Sequence, residues 1–328
     1  MCHHTTADFN LSIPTADLKP LFKTRPFLHA RAIVFDWLII IATILLCIQF
    51  FNPATYFLAV LIIGARMHAL AILMHDATHY RFLKNRKWND MLTNLLTMYW
   101  LFTSIEQYRN NHMAHHRHLN SEHDPDWVAK LGESKFTFPK TKTEFITTVL
   151  SYLFMYTGLM DALGFLKRFS AQADKKKGKS SINYVQIGFY LVLFTVLTIA
   201  GWWAYFLLFW IVPYLSALFM FQYIRSVAEH FGDLAYENEL NGSRSIRPKG
   251  LEKFFLSPHN VGYHLEHHLY PAVPFYNLPQ LHELLMKDPT FKAQAHLTEG
   301  YLSGLMGELG GEKVQVRKQG GELMGLND

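Results

Sequence analysis

Two long stretches without charge dominate the pattern of apolar and polar positions. No Asp, Glu, Lys or Arg occurs from Trp37 through Ala65, and Asn52-Pro53 interrupts that run near its middle. One helix over the whole run would be overlong. The pattern predicts two bilayer-length helices, about 33–51 and 55–75, joined by a tight turn. The second stretch, Ser180 through Ile224, predicts two more at about 183–200 and 202–222, pivoting near Gly201-Trp202-Trp203, where the tryptophans suit an interfacial belt. Residues 89–106 and 144–166 are apolar but interrupted by Asp90, Glu106 and Asp161. If all three histidine groups described below share one face, an even number of crossings must separate them. That favours an interfacial helix for 144–166, with the basic stretch Lys167 to Lys179 on the cytoplasmic side, and leaves a re-entrant 89–106 segment as an alternative.

The expected architecture is therefore an all-α integral membrane protein of four transmembrane helices with interfacial helices. Residues 107–143 and 225–310 would form a cytosolic, histidine-rich cap. Within the cap, Leu278, Leu281, Leu284 and Leu285 predict a short amphipathic helix over 277–287. The organisation reads as a cytosolic N-terminal segment 1–32, a membrane domain with its cap over 33–310, and a loose tail 311–328.

Composition agrees. Of 328 residues, 50% are hydrophobic and only 17% charged, against roughly a quarter charged in soluble domains. The 2 cysteines form no CxxC pair, which argues against a disulfide framework, a zinc–thiolate site or an iron–sulfur cluster. The net charge of +5 comes partly from basic groups beside apolar helix, a setting for anionic lipid headgroups rather than nucleic acid. The first 30 residues lack a basic-then-apolar signal, so the first apolar run is expected to remain as an anchor.

Chemistry concentrates in three clusters: His75-Asp-Ala-Thr-His79, His112-Met-Ala-His115-His116 and His264-Leu-Glu-His267-His268. His75 and His79, four apart, share a helix face with about 6 Å between them. On a helix His112 is close to both His115 and His116, whereas His115 and His116 diverge by about 100° and can reach different ions. His230, ending Arg225-Ser-Val-Ala-Glu-His230, is a ninth candidate ligand. Nitrogen-rich ligation without thiolate suits iron, with zinc the main competitor, and there is nitrogen enough for two metals. Asp76, Glu229 and Glu266 each adjoin a histidine and are positioned to accept a ring N–H from a neighbouring ligand. Asp124 and Asp126 either do the same or shape the turn at Pro125. His68, seven residues before His75, either faces the same cavity or packs between helices. His118 and His123 flank the middle cluster without a ligand role. His259, His282 and His296 read as solvent-facing or packed.

The order HDATH, HMAHH, HLEHH, with Asn260-Val-Gly-Tyr before the last cluster and Leu-Tyr-Pro271 after it, resembles the membrane fatty acid desaturase family, which includes related hydroxylases and carotenoid-modifying oxygenases. The resemblance covers about residues 33 to 285. It implies that His75, His79, His112, His115, His116, His264, His267 and His268 ligate two non-haem irons, and that His230 matches the family's extra histidine. It further implies O2 as co-substrate, an extended channel for a fatty acyl chain or acyl lipid, and no catalytic side chains beyond the ligands. No HPGG-type haem motif is present, so electrons are expected from a separate ferredoxin, rubredoxin or cytochrome b5 type carrier with its reductase. The expected setting is the bacterial inner membrane or the endoplasmic reticulum, with the metal site facing the cytosol. A hydroxylase or ketolase of a fatty, carotenoid or other hydrophobic substrate is the alternative. A non-redox zinc protein is the reading of a different class.

Overall fold

In the computed structural model, residues 11–164 and 183–310 are described, together with the backbone of 315–317 and 323–325. The first charge-free run forms two long helices, α1 (Pro26–Gln49) and α2 (Pro53–Thr78). The break falls at Asn52-Pro53 for a local reason. The Asn52 side chain accepts from the N–H groups of Ala54 and Thr55, the Thr55 hydroxyl accepts from the Asn52 N–H, and Pro53 occupies the first helical position. The result is a helical hairpin. Only 22% of the apolar window of α1 is buried, against 78% for α2, so α2 is the central rod and α1 lies outside it. Phe35, Leu38, Ile41, Leu45 and Leu46 give α1 an exposed apolar face of the kind a lipid bilayer covers.

The chain then turns polar through α3 (Arg86–Thr93), which widens and tightens over the next two turns and stops at left-handed Phe102. Ser104 caps α4 (Ile105–Arg117) by accepting from the Gln107 N–H. The segment predicted as one interfacial helix over 144–166 is two helices, α5 (Lys142–Leu153) and α6 (Tyr156–Gly164), bent by 75° at a break that includes left-handed Met155. α7 (Tyr184–Ala200) has 17 residues, about 26 Å of helix, the short end of what crosses a bilayer. The basic stretch Lys167 to Lys179 lies outside the described residues.

α8 (Trp203–His230) runs 28 residues, eight beyond its predicted end. Wide turns at Leu207–Ile211 and Tyr214–Leu218 flank Pro213, which has no N–H to give. The extension past Gln222 stays helical because Arg225 and Glu229, which read in sequence as the end of a span, form an i,i+4 ion pair at 2.5 Å. Thus α1, α2 and α8 are each long and apolar enough to cross a membrane, and the chain is an all-α, multi-pass membrane protein.

The cap continues through β1 (Ser245–Arg247), α9 (His264–Leu269), α10 (Leu278–Leu285) and β2 (Leu297–Glu299), with β1 and β2 paired in parallel. On α10, Leu278, Leu281 and Leu285 are buried as the amphipathic reading requires. Of the predicted tail 311–328, only the backbone of the antiparallel pair β3 (Gln315–Arg317) and β4 (Leu323–Gly325) is described, and its other residues lie outside the described residues.

Two glycines set how closely the helices approach α8. A Cβ on Gly64 of α2 would sit 2.4 Å from the Ala217 Cβ, and one on Gly158 of α6 would strike the Leu215 carbonyl. Small residues at such crossings let backbones touch. Gly64→Ala should therefore destabilise the protein by about 1–3 kcal/mol through overpacking. Gly188→Ala, with nothing within 4 Å of the added carbon, should be neutral or slightly stabilising. Thermal unfolding of the two variants in detergent checks the contrast, and equal midpoints would deny the close crossing.

Candidate metal centre

Four elements bring the nine histidines together. α2 carries His75 in its last turn and His79 at its end; α4 carries His112, His115 and His116; α8 ends at His230; α9 carries His264, His267 and His268. They sort into two groups, His75, His79, His112, His116 and His267 in one and His115, His230, His264 and His268 in the other. Within each group, one ring nitrogen from every member lies within 4.8 Å of all the others. The helical directions explain the division. His115 and His116 point to different groups, as do His267 and His268, while His112 joins His116, one turn on, rather than His115.

The nitrogens face each other at ligand spacing. In the first group the Nε2 atoms of His79 and His112 are 2.9 Å apart, those of His116 and His112 3.0 Å, and those of His116 and His267 3.1 Å. In the second group, His264 Nε2 lies 2.9 Å from the Nε2 atoms of both His230 and His268. A neutral imidazole carries one N–H and one lone pair, so His116 cannot satisfy two facing Nε2 atoms and its own Nδ1 with one proton. A metal held by bonds of about 2.1 Å at right angles would set adjacent nitrogens about 3.0 Å apart. His75 Nε2 is buried without a protein partner in the same place. The donor set therefore fits a metal in each group.

Burial, followed by the charges of neighbouring rings, holds His112, His116, His267 and His268 well below the usual imidazole range. His264 is lowered by the same causes. These rings are kept neutral, the form that binds a cation.

Carboxylates orient part of this array. The Asp124 carboxylate, fully buried, faces His115 Nδ1 at 2.8 Å, which leaves His115 Nε2 for the second group. Its other oxygen accepts from the Asp126 and Trp127 N–H groups, so the two roles left open in the sequence are both filled, one by each oxygen. Asp126 pairs instead with Lys130. Glu229 Oε1 lies 3.3 Å from His264 Nδ1. Asp76 and Glu266 do not serve candidate ligands. Asp76 faces His29 Nδ1 at 3.3 Å and accepts the Phe275 N–H, and Glu266 is held by His282 and Ser245. The reason is again angular, since a residue adjacent to a ligand on a helix points about 100° away from it.

Other histidines fall outside both groups. His118 and His123 meet edge to face, His296 bonds Glu308, and His282 is buried against Glu266. His259 faces Asp36 at 2.7 Å, and Arg66 donates to the same carboxylate at 3.0 Å. This buried ionic knot and buried His29 were missed in the sequence. A signal for the knot existed, because Asp36 and Arg66 bound the charge-free run at equal distances from its central turn, where a hairpin brings them level. His68 is fully buried with both ring nitrogens unpartnered.

Comparison with known proteins follows the same lines. Residues 51–298 match the fatty acid desaturase family model. The dihydrorhizobitoxine desaturase of Bradyrhizobium elkanii is 32% identical, over 83% of this chain and 80% of that protein. The sn-1 oleoyl-lipid 12-desaturase of Anabaena variabilis is 24% identical, over 66% of this chain and 64% of its own length. The sn-1 acyl-lipid omega-3 desaturase (ferredoxin) of Nostoc sp. (strain 36) is 23% identical, over 84% and 78%. With three quarters of the chain matched and its histidines gathered at the ends of the long helices, this protein belongs to the membrane fatty acid desaturase family.

Proposed function

We propose that this protein desaturates a fatty acyl chain or acyl lipid, using O2 and two non-haem irons. His75, His79, His112, His116 and His267 would hold one iron and His115, His230, His264 and His268 the other. The observation that carries the reading is the pair of buried, convergent imidazole groups at the ends of two bilayer-length helices. Iron bound there supplies the oxidising power to take hydrogen from an unactivated C–H bond, which no side-chain base can do.

The chain's own residues prepare that site. Burial keeps the rings neutral, Asp124 accepts from His115 Nδ1 and so fixes its tautomer with Nε2 facing inward, and the Glu229 carboxylate lies 3.3 Å from His264 Nδ1. Desaturation is preferred to hydroxylation because the similar proteins from Bradyrhizobium, Anabaena and Nostoc are all named desaturases. Their names differ in substrate, dihydrorhizobitoxine in one and acyl lipids in the others. The name of the Nostoc protein includes ferredoxin, which supports a separate ferredoxin, rubredoxin or cytochrome b5 type donor with its reductase. We assign the site to the cytosolic face of a bacterial inner membrane or the endoplasmic reticulum, with 1–32 as the cytosolic N-terminal segment, 33–310 as the membrane desaturase-like domain with its cytosolic cap and 311–328 as a tail.

Untargeted lipid profiling of cells with and without the gene should reveal a product lighter than its precursor by two hydrogens. A product heavier by one oxygen would instead make the protein a hydroxylase. His267→Ala should abolish product and lower bound iron to about one per chain, with membrane insertion intact; retained turnover would remove His267 from the ligand set. Asp124→Asn should weaken metal binding about 10- to 100-fold, read by chelator competition. Unchanged affinity would confine Asp124 to capping the turn at Asp126 and Trp127.

A further inference from the structure

His68 lies on α2 seven residues before His75, two turns away on the same face and about 10 Å along the axis. Its ring is fully buried, and neither nitrogen has a hydrogen-bond partner. Phe221 of α8 lies nearly parallel to it, with ring centroids 6.3 Å apart. One turn further along α8 is Arg225, on the same helix face as Phe221. The Arg225 side chain is 15% exposed, and its Nε donates to Glu229 at 2.5 Å. Glu229 shares that same oxygen with His264 Nδ1, while Arg225 Nη1 and Nη2 have no hydrogen-bond partner among the described residues. Buried polar groups are normally paired, and ionisable residues at membrane depth are kept for a ligand or a pathway. His68 breaks that rule with both nitrogens, and the Arg225 guanidinium, half-buried on the α8 face that carries Phe221, offers two more without a partner among the described residues.

The geometry points to a polar subsite between α2 and α8, built from Arg225 and His68, that receives the carboxylate of an unesterified chain whose carbon skeleton reaches the histidine groups. A guanidinium edge with two free nitrogens matches a carboxylate in shape and charge, and the imidazole adds a third donor. Arg225 precedes His230 by five residues, about 7 Å of helix, and His68 precedes His75 by about 10 Å. The carbon to be oxidised therefore lies a short chain length from the anion. An esterified acyl lipid offers only a neutral ester there, so the substrate class is the free carboxylic acid. This rests on the desaturase reading and narrows it.

The test uses iron-loaded protein in nanodiscs of phosphatidylcholine, titrated with octanoate and with octanamide by calorimetry. Octanoate should bind about tenfold more tightly than octanamide. Arg225→Gln should bring the ratio close to one, Arg225→Lys should keep part of it, and His68→Leu should lower octanoate affinity several-fold at unchanged iron content. Equal binding of the two probes, or a preference that survives Arg225→Gln, would overturn the subsite. Should Arg225→Gln lose its iron, His68→Leu decides, and undiminished octanoate affinity in that variant overturns it. Failure of the desaturase reading shows separately, as the absence of any dehydrogenated product in lipid profiling, whatever the binding ratio.

Discussion

Nine imidazoles turned toward one another inside a membrane protein are the constraint on which the rest depends. Their nitrogens approach to 2.9–3.1 Å with too few protons to join them all, and water is largely excluded. Such an array suits a cation that replaces the missing hydrogen bonds, and stiff helices keep the rings from turning outward. The architecture is organised around that need. α2, the most buried of the long helices, ends in the first histidine pair, and α8 continues past its apolar part as rigid helix to deliver Glu229 and His230 to the same histidine groups.

Close approach makes this delivery possible. Gly64 against Ala217 and Gly158 against Leu215 remove the side chains that would hold the helices apart. The ionic knot of Asp36, Arg66 and His259 then ties α1 and α2 to the segment leading into the third cluster. Buried charges of this kind are costly unless fully paired, and they fix register where apolar contacts alone would slide. The Arg66 guanidinium also lies over the Phe254 ring at 3.8 Å, so the same residue anchors the cap to the membrane helices by a second contact.

Polarity is graded along the interior. Near the histidine groups each carboxylate has a defined partner, whether a ring nitrogen, a backbone N–H or an arginine. Further along α2 and α8, the buried His68 ring and the half-buried outer nitrogens of Arg225 have none among the described residues. Those unpaired nitrogens are where the protein offers hydrogen bonds to something else.

Much of this was legible in the sequence. Charge-free runs located the long helices, Asn52-Pro53 located the turn, and box spacings placed His115 and His116 on diverging faces, because those signals are local and periodic. Pairing across the fold was not local. That His112 joins His116 and His267, that Glu229 serves His264 rather than adjacent His230, and that Asp76 and Glu266 turn away to His29 and His282 depends on which helix lies opposite. The length of α8 escaped because Arg225 and Glu229 look like the polar end of a span until they are seen to pair within it. Periodicity determines which way a side chain leaves its own helix; only the packing of several helices decides what it meets there.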